Sequence, residues 1–141
     1  MVQKINFIVA DKSFEKFYMH VILGTTGAAM DVEMNFFFTF WGLFLLKKGY
    51  KTRVSGMMHP FKKMATWMFK KKLKGFGYGD VWEMVKDGVE EGKIHLYPCS
   101  MTLDMMKPML KKEQLHEFCE EPVGAAKFLE ICDGADGIIS L

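Results

Sequence analysis

The sequence predicts an α/β/α fold, a single domain of three layers around a mainly parallel sheet of about five strands. Three observations lead there. Short apolar runs bounded by turn residues alternate, from end to end, with stretches whose apolar residues recur at helical spacing. Two of the runs, ending at Phe38 and Tyr97, pass through a short turn straight into a helical pattern, as in the βαβ units that build parallel sheets. The chain of 141 residues, half of them hydrophobic, has the size of one ordinary domain with a real core.

The elements follow in order. Lys4 to Ala10 reads as a strand buried on both faces. The first helix begins near Asp11 or Ser13, both suitable caps, and carries Phe14, Phe17, Tyr18, Val21, Thr25 and Ala28 along one stripe. His20 falls off that stripe and reads as an exposed helix histidine rather than as a ligand, the other role open to it. Gly24, Gly27, Ala28 and Ala29 strip the end of this helix of side chains, which permits close approach by the sheet, a ligand or another subunit. Val32 to Phe38 is the most apolar strand, and a helix from about Trp41 to Lys48 follows its sharp turn. Gly49 to His59 reads as a loop, with Pro60 at the first position of the next helix.

Phe61 to Phe76 mixes aromatic residues and methionines with Lys62, Lys63, Lys70, Lys71, Lys72 and Lys74 and holds no acid. Its apolar face either covers the domain or docks on an acidic partner, an anionic membrane surface or RNA phosphates. Gly75 to Gly79 lacks the Gly-Lys-Ser/Thr of a phosphate loop and is a link to a helix that Asp80 caps, striped by Val81, Met84, Val85 and Val89. Gly92 closes that helix, and a third strand begins near Lys93. Beyond Pro108, Lys111 to Leu115 adds a turn and His116 to Cys119 a short strand. Pro122 opens a last helix with Ala125, Phe128, Leu129 and Cys132 on one face, and Gly137 to Leu141 supplies the fifth strand.

The net charge of +2 argues against a specific nucleic-acid binder. The charge is unevenly spread: residues 1 to 79 hold 13 Lys and Arg against 4 Asp and Glu, residues 80 to 141 hold 6 against 13. That asymmetry predicts a bipolar surface. Three cysteines without paired spacing, and no apolar leader at the start, point to free thiols in a reducing, cytoplasmic compartment. Met34 to Leu46 is the longest apolar run and at 13 residues is short of the ~20 that a spanning helix needs, so no transmembrane segment is expected.

Cys99 stands where Lys93-Ile94-His95-Leu96-Tyr97 ends and the helical turn Met101 to Met106 begins. Unpaired N–H groups at a helix start favour an anion and stabilise a thiolate against the ~8.5 of a free cysteine. A buried filler cysteine fits the same position, and position alone leaves both readings open. No His or Cys pair has zinc spacing, and no Gly-x-Ser-x-Gly or Gly-x-Gly-x-x-Gly stands at a strand-to-helix turn, so neither metal nor cofactor is expected.

Two blocks resemble the DsrE/DsrF-like family of small sulfur-transfer and sulfur-carrier proteins. One is Gly27-Ala28-Ala29-Met30-Asp31-Val32-Glu33-Met34-Asn35-Phe36-Phe37-Phe38-Thr39-Phe40-Trp41-Gly42-Leu43, and the other is Cys99-Ser100-Met101-Thr102-Leu103-Asp104-Met105-Met106. The turn Val9-Ala10-Asp11-Lys12-Ser13 departs from the family in lacking a glycine. The resemblance implies the α/β fold, a multisubunit assembly and a sulfur-accepting role for Cys99. Sulfur donors and acceptors, whether proteins or small sulfur compounds, are then the implied partners. Asp11, Thr39, Phe40, Trp41, Ser100 and Met101 are the candidate pocket residues, because ligands of open α/β sheets bind along the carboxyl edge. The alternatives are a non-catalytic binding module using that edge and the basic helix, and a thiol oxidoreductase pairing Cys99 with Cys119 as a secondary thiol.

Overall fold

The computed structural model describes residues 1–56 and 60–141. Its strands are β1 (Lys4–Val9), β2 (Glu33–Phe38), β3 (Ile94–Pro98) and β4 (Gly137–Ser140), all parallel, in the order β3-β2-β1-β4. The helices are α1 (Phe14–Ala29), α2 (Phe61–Gly75), α3 (Val81–Glu90), α4 (Ser100–Met105) and α5 (Ala125–Ile131). The chain steps from β1 to β2 to β3 in one direction and then returns to the far side of β1. Right-handed crossovers therefore place α1 and α3 on one face and α5 on the other.

Alternation along the strands sorts the faces. Phe7, Val9, Met34, Phe36, Phe38, Ile94 and Leu96 join the buried cluster under α1 and α3. Phe37, Cys99 and Phe128 form a smaller cluster on the opposite side, flanked by Ile8, Tyr97, Val123 and Cys132. The glycines of α1 serve the sheet: a Cβ on Gly24 would lie 2.7 Å from Phe36, and one on Gly27 would lie 2.4 Å from Met34.

Several expectations need correction. The sheet has four strands, because His116 to Cys119 does not join it: His116 donates its amide to Leu46 and stacks its ring against Trp82 at 4.2 Å. Residues 120–123 instead run along the open edge of β3, where Glu120 N–H reaches Leu96 O at 2.8 Å and Val123 N–H reaches Pro98 O at 2.9 Å. Pro122 has no N–H to give, so this edge never becomes a regular ladder. Phe40–Leu46 is a 3-10 helix rather than an α-helix. Its Gly42 lies against the β1 backbone, where a Cβ would come within 2.1 Å of Val9 O.

His20, expected on the surface, is 3% exposed and meets Phe7 and Phe36 edge-on. Burial pushes its imidazole down to about 4, with Lys16 adding to the effect. In the last helix only Phe128 is buried, Leu129 is exposed, and the cap is Gly124, two residues after Pro122. The apolar face of α2 does not cover the domain: Ala65 and Thr66 are its buried residues, whereas Met64, Trp67 and Met68 are exposed. Pro60 is its N-cap, not its first helical residue. Asp80 caps α3 as expected, accepting from Glu83 N–H at 3.1 Å. Of the segment Gly49 to His59, the backbone through Gly56 is irregular, and its last three residues lie outside the described residues.

Candidate functional site

Parallel pairing sets Val9 beside Phe38 and Phe38 beside Pro98, so Asp11, Thr39 and Cys99 all emerge at the carboxyl edge of adjacent strands. Cys99 N–H donates to Phe38 O at 2.9 Å, fixing the cysteine next to the end of β2. Its other side is held by Val123, whose carbonyl accepts from Ser100 N–H at 3.0 Å. Cys99 is thus the N-cap of α4, clamped between two backbone segments.

The thiol is 3% exposed, packed against the Phe37 and Phe128 cluster. Burial by itself pushes Cys99 up. The Thr102 hydroxyl and amide, the Thr39 hydroxyl and the Met101 amide act against it, and together they hold the thiol below its ordinary value. None of these donors closes a hydrogen bond on the uncharged thiol as a formed cap. They surround the sulfur and stabilise charge when it appears there.

Thr102 is the residue that sequence reasoning left out. It is fully buried, accepts from Phe40 N–H at 3.1 Å, and lies 3.2 Å from the Thr39 hydroxyl. With the Phe40 amide filling one acceptor position, its own proton is free to turn toward Thr39 or the sulfur. The signal was present in the spacing, since a cap residue at 99 makes Thr102 the third helical residue, whose amide faces the cap.

The remaining candidates divide. Thr39 is at the sulfur, while Phe40 contributes its amide and leaves its ring exposed. Ser100 serves the clamp through its amide, and Met101 donates toward the sulfur while its side chain is exposed. Trp41 stacks on Phe44 at 6.2 Å beneath the Lys12 ammonium, 5.2 Å from its ring. Asp11 accepts from Ser13 N–H at 2.7 Å and pairs with Lys16 at 3.2 Å; the Ser13 amide chiefly keeps it below the usual carboxylate range. These two sit over the β1 end of the edge rather than over β3.

All three cysteines are free thiols. Cys119 packs with the larger cluster and Cys99 with the smaller one on the other face. Burial, reinforced by the Glu120 carboxylate, pushes Cys119 up to about 12. Cys132 accepts from Asn6 Nδ2 at 3.0 Å. Among the described residues no group of three His, Cys, Asp or Glu side chains is placed to hold a metal ion, and no helix is long and apolar enough to cross a membrane.

Residues 2–138 match the DsrE/DsrF/DrsH-like family. The chain belongs to that family. Within it, the chain is 31% identical to the sulfur carrier protein DsrE2 of Allochromatium vinosum, over 96% of this chain and 97% of that one. It is 24% identical to the uncharacterized protein YrkE of Bacillus subtilis, over 99% of this chain and 96% of that one. The crystal structure of the ychN protein from E. coli superposes with a TM-score of 0.65 over 99% of each chain, at 11% identity, a likeness of fold alone. The family match thus spans both turns of the site, the β2 turn with Thr39 and the β3 turn with Cys99.

Proposed function

We propose that this DsrE/DsrF/DrsH-like protein is a sulfur-transfer protein that accepts sulfane sulfur as a persulfide on Cys99 and passes it to an acceptor thiol. The observation that carries the reading is the ring of hydroxyl and amide donors that holds the Cys99 thiol below its ordinary value despite its burial. Membership of a family that includes a named sulfur carrier supports it.

In the loading step the Cys99 thiolate attacks the outer sulfur of a donor. With thiosulfate a new S–S bond forms at Cys99, the old S–S bond breaks, and sulfite leaves with the electron pair. In delivery an acceptor thiolate attacks the outer sulfur and Cys99 leaves as a thiolate. The donors that stabilise the attacking ion stabilise the same ion when it departs, and a thiol of lower pKa leaves faster. Because the sulfur is covered by the cluster with Phe37 and Phe128, loading requires local opening of that packing. Three free thiols fit a reducing, cytoplasmic setting. Exposed Leu129 and Ile138 beside the smaller cluster fit a homo-oligomer that covers this face, testable as a light-scattering mass above the 16.3 kDa of one chain.

Incubation with thiosulfate or a low-molecular-weight persulfide should add about 32 mass units per sulfur to a peptide containing Cys99. Cys99→Ser should abolish the adduct while leaving the fold intact. Full loading of Cys99→Ser, with loss in Cys119→Ser, would reassign the site. Loading of no cysteine by any donor would leave the covered thiol as a packing residue and the chain as a binding module.

A further inference from the structure

We infer that the outward face of α2 is a docking surface for an anionic lipid membrane. Phe61, Met64, Trp67 and Met68 lie on it exposed, with Met64 and Trp67 each 64% accessible. At 100° per residue these four fall on one continuous strip of the helix. Lys63, Lys70 and Lys74 flank one side of the strip and Lys72 the other, while Lys71 projects from within it, its ammonium 5.3 Å from the Trp67 ring. Among the described residues none of the α2 ammonium groups has a carboxylate partner within 4.0 Å. The helix is fastened to the body through Ala65 and Thr66 and the tilted Phe69–Phe14 pair; among the described residues its strip is open to solvent, with Trp67, Lys70, Lys71 and Lys74 also forming one wall of an open cleft toward Tyr18, Tyr50 and Trp82.

Charge complementarity calls for an anionic occupant, and two features favour lipid over an acidic protein. Every cation from residue 61 to residue 79 is lysine, a residue depleted at protein–protein contacts, where arginine is enriched. Lysine beside exposed Trp and Phe on one helix is instead the pattern of helices lying in a bilayer interface: the rings enter the headgroup boundary and the ammonium groups reach back to the phosphates. The surface is separate from the thiol site, so its test does not depend on sulfur transfer.

The test is flotation of the full chain with phosphatidylcholine vesicles containing about 30% phosphatidylglycerol. The protein should float with these vesicles at low ionic strength, remain free with phosphatidylcholine alone, and be released by about 0.5 M salt. Lys70→Glu with Lys71→Glu should lower partitioning by at least about tenfold, whereas Lys107→Glu with Lys127→Glu, the same charge change outside α2, should alter it by no more than about twofold. Met64→Ala with Trp67→Ala should weaken binding without changing charge, and Trp67 fluorescence should be quenched by brominated lipid. The inference is overturned by no flotation, by equal loss in both charge-reversed pairs, or by α2-dependent binding to polyglutamate with the vesicles ignored.

Discussion

Cys99 and Cys119 are two covered thiols at the same strand, and their surroundings drive them in opposite directions. Burial raises both. At Cys99 hydroxyl and amide donors from Thr102, Thr39 and Met101 outweigh it, whereas at Cys119 the only other influence is a carboxylate, Glu120, which raises the thiol further. Burial is thus a cost that the local donor set either offsets or leaves standing. The comparison breaks most directly in thiol labelling. At pH 7.5 a thiol at about 12 is almost wholly un-ionised, so limited iodoacetamide should modify Cys99 before Cys119 in the folded protein. Peptide mass mapping across a time course would read this, and equal labelling would end the distinction.

His20 extends the contrast to a base. Its two ring nitrogens are buried without a hydrogen-bond partner among the described residues, beside a cavity of about 20 Å³ lined by Gly24, Phe36 and Ile94. Like Cys119 it is buried with nothing to offset the cost. The folded value of about 4 lies below the unfolded 6.5, so the unfolded chain binds the extra proton between them. Stability is full above about pH 6.5 and falls as the pH drops toward about 4, by about 3 kcal/mol in total. Denaturant midpoints from pH 7 to pH 4 should show this slope, and His20→Phe should flatten it. An unchanged slope in His20→Phe would place the acid sensitivity elsewhere.

The sequence made the strands legible because alternation is set by the sheet itself, and the Cys99 turn legible because a strand end followed by a helix start has a recognisable pattern. His20 was missed for a geometric reason. The stripe through Phe14, Phe17, Val21 and Thr25 defines one contact line, but Gly24 lets Phe36 come so close that the neighbouring position is buried as well. The 3-10 form of Phe40–Leu46 depends on where Gly42 meets Val9, a contact between distant residues that periodicity does not carry. His116 to Cys119 has strand-forming residues, but its rings are taken up by Trp82, leaving the β3 edge to residues that include Pro122. Thr102 was read as one letter of a motif, because its partners Thr39 and Phe40 are more than 60 residues away.

A narrower test of the donor ring is Thr102→Val, which keeps the shape and removes the hydroxyl. Phe40 N–H then loses its acceptor in a part-buried place, at a cost of about 1–3 kcal/mol. Cys99 should shift upward and its labelling rate at pH 7 should fall, because less of the thiol is then ionised. The pH profile of labelling separates the two effects. A lower melting temperature with an unmoved profile would make Thr102 a packing residue and leave the amides to stabilise the thiolate alone.

The smallest expected effect tests the other half of the comparison. Glu120 accepts the His95 ring at 3.1 Å, and its charge raises both Cys119 and Tyr97, in each case after burial. Glu120→Gln keeps the size of the side chain and the backbone hydrogen bond from residue 120 N–H to Leu96 O, and removes only the charge. If burial dominates, Cys119 labelling above pH 9 should rise by no more than a few-fold, as expected for a partly exposed charge screened by solvent. The Tyr97 phenol should titrate slightly lower in the same variant, giving an internal control that the charge was felt at β3. A Cys119 that became as reactive as Cys99 would mean that Glu120, not the missing donors, separates the two thiols.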